Sequence, residues 1–268
     1  MLKVEGVHFS FGKHKVLNGV SFGVKNGEFI CVIGANGCGK TTLLKTMLGF
    51  LKPEKGSVML YGKSVHKMDE RELAKKIAYI PQTHSPPFPF SVMDVVLIGR
   101  TPHLSRTCNP TKKDISIAKE SMSRLGILGY ADKKYTELSG GQRQMVIIAR
   151  ALTQQPDILI MDEPAASLDY GNQYLVLAHM LRLTKDGMSI LMVTHNPDHA
   201  LYCADRIIAM RDGEIIQLGQ AREVVNEQTM RDTYNMVIKV RDVNISSGCD
   251  TTVCIPVPEL RDTDGHDV

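Results

Sequence analysis

Several features that mark particular classes of protein are missing or scarce in this sequence of 268 residues. It has no tryptophan, its six cysteines form no CxxC pair, and its formal net charge is only +3. The scattered cysteines argue against a disulfide framework or a cysteine-rich metal site, and favour reduced thiols. The small net charge gives no reason to expect nucleic acid as a partner.

Targeting and membrane-spanning segments are also lacking. The opening residues MLKVEGVHFSFG contain no long apolar core of the kind found in signal peptides. No uncharged apolar run reaches the roughly 18 residues that are needed to cross a bilayer. We expect a cytoplasmic protein that reaches a membrane, if it does so at all, through a partner.

Short apolar segments alternate with helical stretches along much of the chain. KNGEFICVIG enters a buried strand that ends at Gly34, TTLLKTMLGFL has helical periodicity, and SVMLYGKSV is typical of a hairpin. Later, DILIMDEP, SILMVTHN and RIIAMRDGEII are β-branched segments separated by helical spacers. This alternation predicts an α/β fold with a mixed or parallel sheet as its core, and the alternating N-terminal residues predict an antiparallel β subdomain.

The middle and the end of the chain differ from this pattern. Residues from about 65 to 137 favour a mostly helical segment, and we place a helical insertion at about 83–150. Beyond about 225 the sequence predicts a small hairpin followed by a frayed acidic tail. We therefore expect a main domain at 1–225 and a small extension at 226–268.

The stretch GANGCGKTT follows the buried strand and opens a helix. Gly34, Gly39, Lys40 and Thr41 fit the pattern GxxxxGK[ST], in which backbone amides surround phosphates, the lysine reaches them and the hydroxyl holds Mg²⁺. The alternative is a glycine-rich turn with an incidental lysine. We predict a P-loop NTPase with these nucleotide-binding residues: Gly34, Asn36, Gly37, Cys38, Gly39, Lys40, Thr41 and Thr42.

Two carboxylates come directly after another buried strand. Asp162 is placed to hold Mg²⁺, and Glu163 is a candidate general base for the water that attacks the γ-phosphate. The alternative is an exposed turn before Pro164.

A second glycine pair lies in LSGGQ, residues Leu138, Ser139, Gly140, Gly141 and Gln142. Serine followed three residues later by glutamine is a capping-box pattern, so we predict that a helix starts here. Its exposed amides suit an anion, although an ordinary glycine-containing cap has the same pattern.

With these motifs the chain resembles an ATP-binding cassette ATPase from about residue 1 to 225, and LSGGQ matches the signature motif of that family. The resemblance implies that ATP is held in a head-to-tail homodimer. In such a dimer Ser139, Gly140 and Gly141 of one copy would meet the γ-phosphate bound by Lys40 of the other.

The resemblance also assigns roles to four further residues. Phe11 matches the aromatic residue that stacks on adenine, with a core position as the alternative, and Asp169 matches the aspartate of the loop at the dimer interface. Gln82 matches the glutamine that contacts Mg²⁺ and the attacking water, and His195 matches the switch histidine of the γ-phosphate. A solvated loop glutamine and a structural histidine are the alternatives.

Within the family, SPPFPFSVMDVVLIGRTPHL at 85–104 resembles importers of iron–siderophore complexes, haem and cobalamin. That implies membrane permease subunits, indirectly a substrate-binding protein, and a peripheral position on the cytoplasmic face of a bacterial or archaeal membrane. Zinc, manganese, other metal or oxyanion importers are the alternative cargo classes. A soluble cassette ATPase is the alternative class of protein, but a single short cassette favours the transporter.

Overall fold

The computed structural model describes residues 1–82, 89–105, 108–246 and 249–257. The strands are β1 (Leu2–Phe11), β2 (His14–Val24), β3 (Phe29–Gly34), β4 (Lys55–Leu60), β5 (Lys63–Ser64), β6 (Ile77–Ile80), β7 (Ile158–Asp162), β8 (Ser189–Thr194), β9 (Arg206–Arg211), β10 (Glu214–Gln220), β11 (Val237–Ser246) and β12 (Cys249–Val257). The α-helices are α1 (Lys40–Met47), α2 (Glu70–Lys76), α3 (Val92–Leu97), α4 (Lys112–Arg124), α5 (Gly140–Thr153), α6 (Tyr170–Lys185), α7 (Pro197–Cys203), α8 (Ala221–Val224) and α9 (Glu227–Tyr234).

A six-stranded sheet forms the centre of the molecule, in the order β10-β9-β3-β8-β7-β6. Strands β9, β3, β8, β7 and β6 are parallel, and β10 pairs antiparallel with β9. Because the carboxyl ends of parallel strands meet at one edge of a sheet, the ends of β3, β7 and β8 lie side by side. This edge carries the phosphate loop, which is the GANGCGKTT stretch at 34–42, together with Asp162, Glu163 and His195.

Alternate residues of β3 serve two hydrophobic cores, as the two-residue period of a strand requires. Phe29, Cys31 and Ile33 pack into the core that contains helices α3 to α7. Ile30 and Val32 face the other core, formed with α1 and the N-terminal strands. The N-terminal sheet has the order β2-β1-β4-β5 and is antiparallel, as predicted.

The segment that was expected to be mostly helical contains one strand of the central sheet. Helix α2 ends at Lys76 and the chain continues directly into β6, which pairs with β7. Ile77–Ile80 is thus an exception within the segment at about 65–137 that is predicted to be mostly helical, because pairing with a distant strand overrides the local pattern. From Val92 to Thr153 the described residues are largely helical, in α3, α4, α5 and short 3₁₀ turns.

The C-terminal hairpin is present as β11 and β12, which pair with each other antiparallel. Ile238 is buried, and the backbone N–H of Cys254 donates to Asp198 of α7 over 2.8 Å. The predicted acidic tail RDTDGHDV at 261–268 and the SPPF part of the subfamily stretch lie outside the described residues. No helix within the described ranges has both the length and the apolarity needed to span a bilayer.

Candidate nucleotide site

The loop between β3 and α1 borders a cleft of about 500 Å³ at the carboxyl edge of the central sheet. Its lining comprises Val16, Asn36, Gly37, Gly39, Lys40, Thr41, Thr42, Gln82, Asp162, Glu163, Ala166 and His195. Gly39 precedes α1 with φ 105°, and a Cβ there would lie 2.7 Å from the carbonyl oxygen of Val16. Only glycine fits this position. The first backbone amides of α1, which have no partner within the helix, border the cleft.

Lys40 is buried, and its ammonium bonds to its own loop. Nζ donates to the carbonyl oxygens of Gly34 over 2.7 Å and of Ala35 over 2.9 Å. These bonds hold the lysine across the mouth of the loop and satisfy its charge. A bound triphosphate would offer the ammonium stronger acceptors than neutral carbonyls do.

Thr41 and Asp162 come together although 121 residues separate them. The Thr41 hydroxyl donates to Asp162 Oδ2 over 3.1 Å, and Asp162 is buried. Burial raises the pKa of Asp162, and the negative charge of Glu163 acts in the same direction, while the Thr41 hydrogen bond opposes both. One carboxylate and one hydroxyl beside phosphate-binding amides fit Mg²⁺, which takes few protein ligands and completes its shell with water and phosphate oxygens.

Glu163 has an unusual backbone. Its φ is +48°, in the left-handed region, and its N–H donates to the carbonyl oxygen of Val193 over 2.9 Å. Nδ1 of His195 lies 3.0 Å from Glu163 Oε2, and Nε2 of Gln82 donates to the same oxygen over 3.3 Å. Gln82 and His195, both predicted to lie at the site of Glu163, are therefore each within hydrogen-bond reach of its carboxylate.

The LSGGQ segment forms the predicted helix start. Ser139 is the N-cap of α5: its hydroxyl accepts from Gln142 N over 3.3 Å, and Gln142 Oε1 accepts from Ser139 N over 3.1 Å. Leu138 is buried, whereas Ser139 and Gly140 are exposed. Among the described residues, none from 138 to 142 is in the lining of the cleft. Ser139 and Gly140 therefore lie on the surface away from the lining of this cleft, whereas Gly141 is buried.

Phe11 and Asp169 lie outside the lining of the cleft. Phe11 is 56% exposed and meets Phe9 edge to face, with ring centroids 4.9 Å apart, so the alternative of a core position is wrong. Asp169 is the N-cap of α6, and hydrogen bonds from Asn172 lower the pKa of its carboxyl.

Three residues at or beside the site belong to no motif in the sequence. Val16 of β2 and Ala166 line the cleft. Tyr79 of β6 has its pKa raised to about 12, mainly by burial and also by the nearby charge of Asp162. Valine, alanine and tyrosine are common in strands and turns, so nothing in the neighbouring sequence marks these three residues as part of a site.

Comparison with known proteins assigns the family. The family model for the ABC transporter matches residues 17–166, which is more than half of the chain, and the protein belongs to this family. It is accordingly an ATP-binding and ATP-hydrolysing subunit. ATPases of this family dimerise and act with membrane permease subunits.

The chain is similar over most of its length to import ATP-binding proteins of two bacteria. The iron(3+)-hydroxamate import ATP-binding protein FhuC of Bacillus subtilis is 36% identical over 236 residues, which are 88% of this chain and 88% of the relative. The molybdate import ATP-binding protein MolC of Haemophilus influenzae is 30% identical over 237 residues, again 88% of each.

Solved structures show the same fold. An inward-facing ABC transporter of a proposed metal-chelate type superposes with a TM-score of 0.87 at 27% identity, covering 96% of this chain and 98% of that one. A dimeric bacterial ABC transporter cassette superposes with a TM-score of 0.70 at 29% identity, covering 83% of this chain and 99% of that one.

Proposed function

We propose that this ATPase is the motor subunit of an importer for an iron–siderophore, haem or cobalamin-type compound, which crosses the membrane through separate permease subunits. The observation that carries the proposal is the similarity to FhuC across 88% of both chains. The similarity to the metal-chelate type transporter agrees with it, as does the sequence GRTPH at residues 99–103.

ATP binding begins in the cleft. The amides of residues 36–42 surround the phosphates, Lys40 exchanges its loop carbonyls for phosphate oxygens, and Phe11 stacks on adenine from its exposed position. Thr41, Asp162 and Gln82 would hold Mg²⁺, which supplies charge neutralisation on the phosphate oxygens.

A second copy completes the site. Ser139, Gly140 and Gly141 of one protomer donate hydrogen bonds to the γ-phosphate held by its partner, and the loop of Asp169 crosses the interface. The exposure of Ser139 and Gly140, and the absence of residues 138–142 from the lining of the chain's own cleft, support that arrangement. ATP then stabilises the closed dimer because it binds the closed state better than the open one.

Hydrolysis uses the cluster around Glu163. The carboxylate accepts a proton from the water that attacks the γ-phosphate, Gln82 orients that water, and His195 donates a hydrogen bond to the γ-phosphate. The short distances among these three side chains support a joint role. Loss of the γ-phosphate removes the bonds between the copies and lets them separate.

The closing motion passes to permease subunits through the surface beside Gln82. This places the protein on the cytoplasmic face of the cell membrane as a peripheral subunit. Cargo selection belongs to the permease and to a substrate-binding protein outside, so no residue of this chain contacts the cargo.

Uptake by intact cells tests the cargo class. Cells that lack the gene are complemented with the wild type, with Glu163→Gln, or with Glu120→Gln as a control on the exposed face of α4. We expect uptake of labelled ferric siderophore, haem or cobalamin to be lost in the deletion and with Glu163→Gln, and restored with the other two. Unchanged uptake of all three compounds in the deletion would contradict the proposed cargo class.

A molybdate or related oxyanion importer is the second candidate, and the similarity to MolC favours it. The same deletion then loses molybdate uptake while uptake of the iron and cobalt compounds continues.

A further inference from the structure

Asn172 occupies both oxygens of the Asp169 carboxylate. Asp169 Oδ1 accepts from the backbone N–H of Asn172 over 2.9 Å, and Oδ2 accepts from the Asn172 side-chain Nδ2 over 2.7 Å. Asp169 caps α6, so these bonds fix the carboxylate on the first turn of that helix. Asn172 therefore holds the Asp169 carboxylate in place at the start of α6.

The same asparagine packs on the start of α5. A Cβ added to Gly141 would lie 2.5 Å from Asn172 Oδ1, 2.7 Å from its Cγ and 3.2 Å from its Cβ. The contact thus involves the stem of the side chain as well as its end, and a rotation about χ2 would not relieve it. Gly141 is buried, and Asn172 is half-buried.

A second contact joins the same two helix starts. A Cβ added to Gly140 would lie 3.6 Å from Cδ2 of Leu168, the residue before Asp169. Gly140 and Gly141 thus lie beside Leu168 and Asn172, which come before and after Asp169 in the sequence. Neither Asn172 nor Leu168 is in the lining of the chain's own cleft.

We propose that Asn172 is a positioning residue that fixes Asp169 and the tip at 139–141 as one unit, which then docks on the ATP site of a second copy. This rests on the head-to-tail dimer of the proposed function, in which both elements meet the partner. Two elements held in one geometry lose less freedom on docking than two that move separately. Asn172 acts on ATP only through the groups that it holds.

Dimer formation in the Glu163→Gln background provides the first test. We expect Asn172→Ala to weaken ATP-dependent dimerisation about tenfold in sedimentation. In the protein that keeps Glu163, the same substitution should lower kcat at saturating ATP. Binding of a fluorescent ATP analogue to the monomer should stay unchanged, because Asn172 lies outside the cleft. KM for ATP should therefore move much less than kcat.

Asn226→Ala is the matched control. Asn226 also lies at the start of a helix, where its side chain accepts from Thr229 N over 2.9 Å as the N-cap of α9. Its loss should reduce thermal stability without weakening the dimer. If Asn172→Ala lowers stability more than this control, Asn172→Ser keeps a small polar side chain at the position and is measured in the same way.

A double-mutant cycle tests the packing directly. Gly141→Ala in the wild type must displace the Asn172 side chain, whereas in Asn172→Ala the space is already open. All four proteins of the cycle carry Glu163→Gln. We expect Gly141→Ala to weaken the dimer severalfold more when Asn172 is present than when it is replaced by Ala. Any effect of the added methyl on the partner's ATP is common to both backgrounds and cancels.

The outcomes separate this proposal from the function on which it rests. If Glu163→Gln dimerises with ATP, and Asn172→Ala and Asn172→Ser dimerise equally well, only the role of Asn172 is overturned. Additive effects of Gly141→Ala and Asn172→Ala would overturn it too. If Glu163→Gln stays monomeric with ATP, the head-to-tail dimer fails and this inference fails with it.

Discussion

His195 Nδ1 lies 3.0 Å from Glu163 Oε2, and the two residues follow adjacent parallel strands. The Glu163 backbone holds a left-handed φ of +48° and bonds to Val193 of the neighbouring strand, so the carboxylate is fixed against the histidine. Strained backbone of this kind is common where a side chain has to be aimed at a ligand.

This geometry predicts the behaviour of Glu163→Gln. The amide cannot accept the proton of the attacking water, so turnover should fall by roughly 10²–10⁴-fold, the range typical of a general base. ATP should still bind, and the protein should accumulate as an ATP-held dimer. Phosphate release and size-exclusion chromatography with ATP measure the two effects.

Glu120→Gln removes a charge from the exposed face of α4 and controls for the change of charge. It should behave as the wild type in both assays. A Glu163→Gln protein with near-normal turnover and no dimer would remove Glu163 from the base role.

Lys40→Ala should reduce the affinity for ATP itself. The ammonium would bond to phosphates, and charge-assisted hydrogen bonds of this kind contribute about 1.5–3 kcal/mol, which corresponds to a loss of roughly ten- to a hundredfold. A titration with a fluorescent ATP analogue checks this, and Lys52→Ala on the exposed surface is the control. Equal affinities of both variants would contradict the role of Lys40.

The local parts of the site were predictable from the sequence. The phosphate loop is identified by glycines at positions where a Cβ has no room, and its context of strand and helix is visible in the neighbouring residues. The capping box at Ser139 is likewise contained in four consecutive residues. Such features depend on short-range geometry, which a sequence pattern records directly.

The parts that depend on long-range packing were not predictable. Strand β6 lies in a segment whose pattern predicts mostly helix, because IAYI follows α2 without a break. Its strand character comes from pairing with β7 about 80 residues later. The contact of Gly141 with Asn172 joins two helices whose approach no periodicity reveals. Both cases show tertiary context deciding what local propensity leaves open.

Cys38 lies inside the loop between β3 and α1, so alkylation of its thiol should block the nucleotide site. It is only 7% exposed, and burial raises the pKa of its thiol, with the charge of Lys40 opposing. Because the thiolate is the reactive form, alkylation should be slow near pH 7 and should quicken as the pH rises. We expect iodoacetamide to abolish ATPase activity, and bound ATP to protect it.

The activity that remains in Cys38→Ser should resist the reagent. Cys108 is exposed and will also react, but it is not in the lining of the cleft. Because its modification should not affect the activity, the Cys108→Ser protein should be inactivated at the wild-type rate. Equal inactivation of the Cys38→Ser protein would assign the effect to another thiol.

The GRTPH residues at 99–103 pack against the C-terminal end of α5. These are the residues that resemble the importer subfamily. A Cβ on Gly99 would lie 2.1 Å from the carbonyl oxygen of Arg150. Arg100 is buried, with Nε donating to Asp114 Oδ1 over 2.8 Å and an Nη1 donating to the carbonyl oxygen of Thr153 over 3.0 Å. Arg100→Met should cost about 3–5 kcal/mol in the free energy of unfolding, because it leaves a buried carboxylate without its cation.

Asp114 should make this pair sensitive to acid. Hydrogen bonds from Thr111, and then from Arg100, lower the pKa of Asp114 to about 2, below the roughly 3.9 expected in the unfolded chain. Since the folded pKa is depressed, the stabilisation is complete above about pH 4 and is lost as the pH falls towards 2.

Asp114→Asn should therefore be less stable at neutral pH, and its denaturant midpoint should fall less steeply than that of the wild type between about pH 4 and pH 2. Parallel slopes for the two proteins would contradict the depressed pKa, and the double variant Arg100→Met with Asp114→Asn should be less destabilised than the sum of the single changes.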